Sequence, residues 1–263
     1  MKLGVIGLGN MATAMIGGII RSGACKSEDI IGSDTSSDQR QKAEESFGIG
    51  TCESNTEAMA GRDYVILAVK PQVYEAVLPR IAPEVKEQVI ISIAPGKTIS
   101  YLERSLGSTA KIVRLMPNTP ALVGEGCTGV CRNGNVTADE FETVMKMLSG
   151  FGKAYEVRED QMDAVVAVSG SSPAYVFMLI EAMSDGAVAE GLDRATAIKM
   201  AAQAVLGSAR MVLETGKHPA QLKDMVCSPA GTTIDAVAVL EEEGFRGAVI
   251  DAMCACAEKS RKI

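Results

Sequence analysis

The sequence predicts an α/β chain, with an N-terminal, doubly wound, mainly parallel sheet followed by an all-α C-terminal half. Three observations carry this. Short apolar runs alternate with helical patterns as far as Val157, after which no run reads as a strand and six helical stretches follow. A glycine-rich turn, Gly7-Leu8-Gly9-Asn10-Met11-Ala12, lies between the first strand and the first helix. A second turn of small residues, Ser228-Pro229-Ala230-Gly231-Thr232-Thr233, runs directly into a late helix.

Taken in order, residues 2–7 read as a strand, 11–22 as a helix and 29–33 as a second strand. Residues 39–47 are helical, 64–69 form a strand ending in Lys70-Pro71, and 73–81 are helical again. Residues 89–93 and 111–115 are further strands, and 155–157 is the last one. This βαβ rhythm implies a parallel sheet with helices on both faces. Beyond it, residues 160–169, 174–191, 194–216, 218–226, 233–243 and 245–261 carry helical periodicity, punctuated by Gly or Pro. The boundary falls near Arg158, giving expected domains of residues 1–157 and 158–263.

Composition narrows the function. At 263 residues the chain is long enough for two domains, and 47% hydrophobic with 22% charged residues describes a packed protein. A net charge of −7 without any basic run disfavours nucleic acid or an anionic membrane as partner. The seven cysteines are scattered without a C-x-x-C pair, and there is one histidine, His218, so no metal site is expected. Reduced cysteines packed as small apolar residues fit the cytoplasm. Residues 3–20 and 164–180 are uncharged, but glycines break the first and Gly170-Ser171-Ser172-Pro173 breaks the second, so neither is read as a signal or a membrane span. The helix at 194–215 is apolar almost all round, which calls for deep burial or an oligomer interface; a homodimer is expected.

The first turn is G-x-G-x-x-A in a strand–turn–helix setting, the mark of a dinucleotide-binding Rossmann domain. Gly7 makes the tight turn, Gly9 admits the pyrophosphate, and Ala12 lets helix and strand pack closely, with Asn10 and Met11 opening the helix. Ser33 and Asp34 end the second strand, where an acid bonds a ribose 2′-OH and favours NAD. Thr35, Ser36, Ser37 and Arg40 follow, and hydroxyls with an arginine suit a 2′-phosphate; the two signals conflict. If Asp34 decides, Asp34→Ser shifts preference sharply to NADPH. Ala68-Val69-Lys70-Pro71, Ala94-Pro95-Gly96 and Met116-Pro117-Asn118-Thr119-Pro120 end later strands at the edge where ligands collect. Lys70 is a candidate for the cofactor's ribose or diphosphate. Asn118, in a loop stiffened by two prolines, is a candidate wall for the nicotinamide.

The second turn aims backbone N–H groups and two hydroxyls at one point, which suits a carboxylate or phosphate. Around it the usual base of alcohol oxidation is missing. No lysine occurs between Lys153 and Lys199, His218 sits before Pro219 at a helix start, and Glu241, Glu242 and Glu243 look solvated at a helix end. The absence favours an electrophile that needs little help, such as a C=N bond already protonated as an iminium.

These residues also match a family. The segment from Leu222-Lys223-Asp224 through Cys227-Ser228-Pro229-Ala230-Gly231-Thr232-Thr233-Ile234 to Val239-Leu240-Glu241 closely resembles the signature of Δ1-pyrroline-5-carboxylate reductases. So do Ala68-Val69-Lys70-Pro71, Met116-Pro117-Asn118-Thr119-Pro120 and Ser169-Gly170-Ser171-Ser172-Pro173-Ala174-Tyr175, and the resemblance runs along essentially the whole chain. Ser172 and Ala230 stand where the family commonly has glycine. The resemblance implies reduction of the cyclic imine to L-proline, the last step of proline biosynthesis. It also implies a Rossmann domain, and a helical C-terminal domain that dimerises by interlocking with its partner. NADPH is the expected cofactor and NADH the alternative; a small molecule is the substrate, and dimers assembling further is left open. It places the substrate carboxylate on the N–H groups of Gly231, Thr232 and Thr233, with the Thr233 hydroxyl on the ring nitrogen as the catalytic contact. Asn55 resembles a position near the cofactor ribose, with a helix cap as the alternative. A β-hydroxyacid dehydrogenase is the rival enzyme and would need a lysine on the first helix after the Rossmann domain. A nucleotide-sensing protein would need no second anion turn.

Overall fold

A computed structural model describes residues 1–262; Ile263, the last residue of the expected second domain, lies outside them. The chain divides into two compact units, one of Met1–Ser171 with the final turns from Cys256, the other of Ser172–Ala255.

The first unit opens as the sequence suggests, with β1 at Leu3–Ile6, α1 at Asn10–Arg21, β2 at Ile30–Ser33 and α2 at Ser37–Phe47. A three-residue β3 (Gly50–Cys52) and the short α3 (Asn55–Met59) follow. Then come β4 (Tyr64–Leu67), α4 (Tyr74–Ile81), β5 (Val89–Ser92), α5 (Ile99–Leu106) and β6 (Lys111–Met116). β7 (Gly126–Arg132), α6 (Ala138–Leu148) and β8 (Gly152–Glu156) complete one sheet in the order β3-β2-β1-β4-β5-β6-β7-β8. Every pairing is parallel except β6 with β7.

Alternate side chains of each central strand enter opposite layers. Leu3, Val5, Ile66 and Ile91 pack under α1 and α6 with Met15, Ile16, Ile19 and Val144. Ile6, Val65, Leu67 and Ile90 pack under α4 and α5 with Val77, Leu78, Ile81 and Leu102. Both faces of the sheet are therefore dry, which is why its strands read as continuous apolar runs rather than alternating ones. Each such Leu or Ile contributes roughly 1.5–3 kcal/mol on burial, before conformational entropy is subtracted. Tyr74 locks the β4–α4 turn from below. Its buried hydroxyl donates to the Leu67 carbonyl at 3.0 Å and lies 3.0 Å from Ser92 Oγ, and burial pushes its phenol far above its ordinary pKa.

After β8 the chain makes α7 (Met162–Val165) and widens into a π-helical turn at Val166–Gly170. In the second unit are α8 (Ser172–Ala189), α9 (Arg194–Thr215), α10 (Pro219–Val226), α11 (Thr232–Glu242) and the first part of α12 (Phe245–Ser260). No strand occurs in it. The helical run Glu159–Ala189 is long and apolar enough, by length and composition, to cross a membrane, but the π-turn and Pro173 interrupt it. Cys256 and Ser260, at the end of α12, belong to the first unit. The Cys256 thiol lies 3.2 Å from Ser171 Oγ, and Ser260 Oγ donates to Asp163 at 2.6 Å.

Candidate active site

The end of β1 feeds straight into the glycine turn. Gly7 N–H donates to the Ser33 carbonyl at 2.8 Å, which keeps the turn at the carboxyl edge of the sheet. Gly7 has φ +93°, and a Cβ there would lie 2.9 Å from Val69 Cγ1 and 3.0 Å from the Ala68 backbone. Only glycine fits that conformation and that approach. Gly9 is the N-cap of α1, with open space where a side chain would project. Ala12 is buried in the layer beneath α1, while Asn10 is exposed and Met11 half-buried at the helix start. Around this loop lies a cleft of about 330 Å³, lined among others by Gly7, Gly9, Asp34, Asn55, Val69 and Lys70.

The expected residues at the β2 end are brought together, with partners that sequence did not reveal. Asp34 accepts from Leu8 N–H at 2.8 Å and from Ser36 N–H at 2.9 Å, while Arg40 donates to the Asp34 carbonyl at 2.6 Å. Asn55 is not the helix cap; Ser54 takes that place, and the Asn55 amide oxygen accepts from buried Ser33 Oγ at 2.8 Å. Lys70 is exposed at the β4 edge, with Pro71 opening the next turn. Ala94 is buried behind β5. Asn118 is also buried, its amide donating to the Ser169 carbonyl at 2.9 Å and accepting from Cys127 N–H at 2.8 Å. Its side chain braces the β6 edge against the π-turn. Gln39, Val73 and Val77 line the cleft without having been singled out; the i, i+4 spacing of the two valines at the start of α4 was the available signal.

Burial pushes the Cys52 thiol up, near the β2 end, and burial pushes Cys131 up to about 12. Among the described residues, no three His, Cys, Asp or Glu side chains gather at one point.

In the second unit, Gly231 N–H donates to the Ser228 carbonyl at 3.1 Å, closing a turn with Pro229 at its second position. Ala230 occupies the third position at φ +55°, the pattern of a type II turn, which favours glycine there. It is the one non-glycine residue at positive φ among the described residues. Gly231 is the N-cap of α11, and a Cβ on it would press on Ser228 Oγ. Its N–H is thus already engaged in the turn. The N–H groups that α11 opens with are those of Thr232, Thr233 and Ile234, which have no intrahelical acceptor.

Capping sets these two helices apart from six others; α4 and α7 also lack a side-chain cap, but each runs on from a preceding 3-10 turn rather than starting on a glycine. α2, α3, α5, α6, α9 and α10 are closed by side chains of Ser36, Ser54, Thr98, Thr137, Asp193 and His218, respectively. His218, the single histidine, accepts from Ala220 N–H at 3.2 Å and so serves as a cap. α1 and α11 instead begin on glycine, with no side chain bonded to the first turn. An open helix start concentrates N–H donors and the positive end of the helix dipole, which is a seat for an anion.

Comparison with known proteins decides the family. Residues 159–263 match the family model described as pyrroline-5-carboxylate reductase dimerisation, and residues 2–96 match one described as coenzyme F420-dependent NADP oxidoreductase. The pyrroline-5-carboxylate reductase of Escherichia coli (strain K12) is 51% identical over 263 residues, covering 100% of this chain and 98% of that protein. The chain belongs to the pyrroline-5-carboxylate reductase family. The archaeal member from Methanosarcina acetivorans is 42% identical over 100% of this chain and 97% of its own length. The crystal structure of Plasmodium falciparum pyrroline carboxylate reductase with NADP bound superposes with a TM-score of 0.91 at 35% identity, over 100% of this chain and 97% of that one. Family membership accounts for the pairing of a Rossmann domain with a helical one, and for the missing lysine that set the dehydrogenase reading aside.

Proposed function

We propose that this chain reduces the C=N bond of Δ1-pyrroline-5-carboxylate to L-proline, the last step of proline biosynthesis, using NADPH or, alternatively, NADH. The observation that carries the reading is the pair of glycine-started, uncapped helices, α1 and α11, which provide seats for two different anions. The dinucleotide, when bound, supplies the hydride that C5 of the imine accepts. Gly7, Gly9, Asn10, Met11 and Ala12 seat its pyrophosphate on α1. Ser33, Asp34 and Asn55 lie on the ribose side, and Ala68, Val69, Lys70, Pro71, Ala94 and Asn118 form the strand-end wall.

On α11, Thr232 and Thr233 N–H groups hold the substrate carboxylate; the Gly231 N–H, expected to join them, is engaged by the Ser228 carbonyl, and Gly231 instead closes the turn against Ser228. The Thr233 hydroxyl bonds the ring nitrogen and orients the ring. A threonine is too weak an acid to drive protonation, and an imine that arrives as an iminium needs none. The preferred cofactor is NADPH, supported by the hydroxyl-rich turn after β2.

The dinucleotide half is assigned to residues 1–157 and the substrate-binding and dimerising half to 158–263 by sequence, whereas by packing residues 158–171 and the end of α12 belong to the first compact unit and the helical unit is Ser172–Ala255. Phe177, Met178 and Leu213 are 61%, 67% and 76% exposed in a single protomer, apolar surface that a second copy would cover. The working form is a homodimer, with further assembly of dimers open to light scattering. Seven unpaired cysteines fit a reducing cytoplasm.

The test is NAD(P)H oxidation with pyrroline-5-carboxylate, beside NAD(P)+ reduction with a panel of 3-hydroxy acids and a no-substrate control in each direction. Turnover with the imine alone is expected. Turnover with hydroxy acids, or dinucleotide binding without any turnover, would reject the reading. A thermal-shift comparison of NADPH with NADH ranks the two cofactors.

A further inference from the structure

Asp34 occupies the position at which an acid in a Rossmann domain reads the ribose 2′-OH and selects NADH. Its surroundings point elsewhere. One carboxylate oxygen accepts from Leu8 N–H at 2.8 Å and the other from Ser36 N–H at 2.9 Å. Leu8 is the residue between the two glycines of the phosphate loop, and it is 1% exposed. Its side chain is wedged against Gly32 on β2, where a Cβ would come within 2.6 Å of Leu8 Cδ2. The loop is therefore held from two sides, by packing on Gly32 and by the carboxylate of Asp34. Leu8 N–H is a backbone donor on a buried residue, and it would lose its acceptor if Asp34 were removed. The Ser36 bond meanwhile fixes the turn that places the α2 cap, and Arg40 ties the same turn through the Asp34 carbonyl at 2.6 Å.

We propose that Asp34 is a positioning residue for the phosphate-binding loop, bridging Leu8 and Ser36, and that it does not select between the two dinucleotides. The inference rests on the dinucleotide reading of this loop. It predicts an outcome opposite in sign to a 2′-OH reader. Loss of a reader weakens NADH and, by removing a negative charge beside the 2′-phosphate, tightens NADPH. Loss of a loop brace weakens every ligand that carries the pyrophosphate.

The experiment titrates NADPH, NADH and ADP into the wild type, Asp34→Asn and Asp34→Ser, by fluorescence or calorimetry in the absence of imine. Asn keeps one acceptor oxygen and Ser cannot span the distance, so the order of affinity is wild type, Asn, Ser. Asp34→Ser is expected to raise all three dissociation constants by about 10–100-fold, the size of losing a charge-assisted pair. The NADPH-to-NADH ratio stays within about threefold. A gain for NADPH with a loss for NADH overturns the proposal, as does unchanged binding of all three. A wild type that binds none of them rejects the dinucleotide reading itself, and so is distinguishable from failure of this inference.

Discussion

The two glycine-started helices solve one problem with different rigidity. At α1 the left-handed residue is Gly7, buried beneath Val69 and Ala68, and the loop is braced by Asp34 and Gly32. At α11 the left-handed residue is Ala230, exposed and closed by the single Gly231–Ser228 hydrogen bond. The first seat is built into the sheet edge and has no slack. The second stands on a helical unit whose apolar surface is largely exposed in one protomer. A tight seat suits a large cofactor common to many reactions, and the looser turn suits the smaller anion proposed for it.

Gly7→Ala attacks the tight seat and has the largest expected effect. The new Cβ meets Val69 and the Ala68 backbone at a φ that alanine resists, so dinucleotide affinity falls by ~100-fold or more, read by titration, with a lower melting temperature. Thr233→Ala attacks the looser seat. It raises KM for the imine and lowers kcat/KM by about 10–100-fold, while NADPH affinity stays put. If both constants moved together, the two seats would not be separate.

How much of this was legible in the sequence differs between regions as well. The C-terminal helices were readable almost to the residue, because Gly216, Pro219 and Gly244 punctuate a strong helical period. β3 and β7 were not. Gly50–Cys52 is three residues long, and Gly126–Arg132 carries two glycines, so neither shows an apolar run; their neighbours define them. α6 was overlooked although its capping box, Thr137 with Glu140, is written in the sequence. The candidate site residues were chosen by type and spacing. Their partners were not legible that way, since Asp34 reaches Leu8 across 26 residues and Asn118 reaches Ser169 across 51. Such long-range pairs follow from packing, not from local pattern.

Two smaller changes sharpen the contrast. Asp235 lies in the first turn of α11, whereas the first turn of α1 holds no acid. Asp235→Asn removes a negative charge beside the proposed carboxylate seat and lowers KM for the imine by roughly twofold to threefold, more at low salt than at high. Ala230→Gly relieves the left-handed alanine and stabilises the chain by ~1 kcal/mol, a rise of roughly 2–4 °C in Tm, measured by calorimetry. No rise would mean that Ala230 carries no strain.

The central claim is that α1 and α11 hold different anions, with the substrate's carboxylate on α11. It is tested most directly by comparing pyrroline-5-carboxylate with 1-pyrroline, the same ring without the carboxylate, in the wild type and in Thr232→Pro, which removes one N–H donor at a first helical position that accepts proline. The account predicts that the substitution lowers kcat/KM for the carboxylated imine by about 10-fold or more. For 1-pyrroline, the same substitution should change it little. An equal loss with both rings would contradict the account, because the turn would then not be reading the carboxylate.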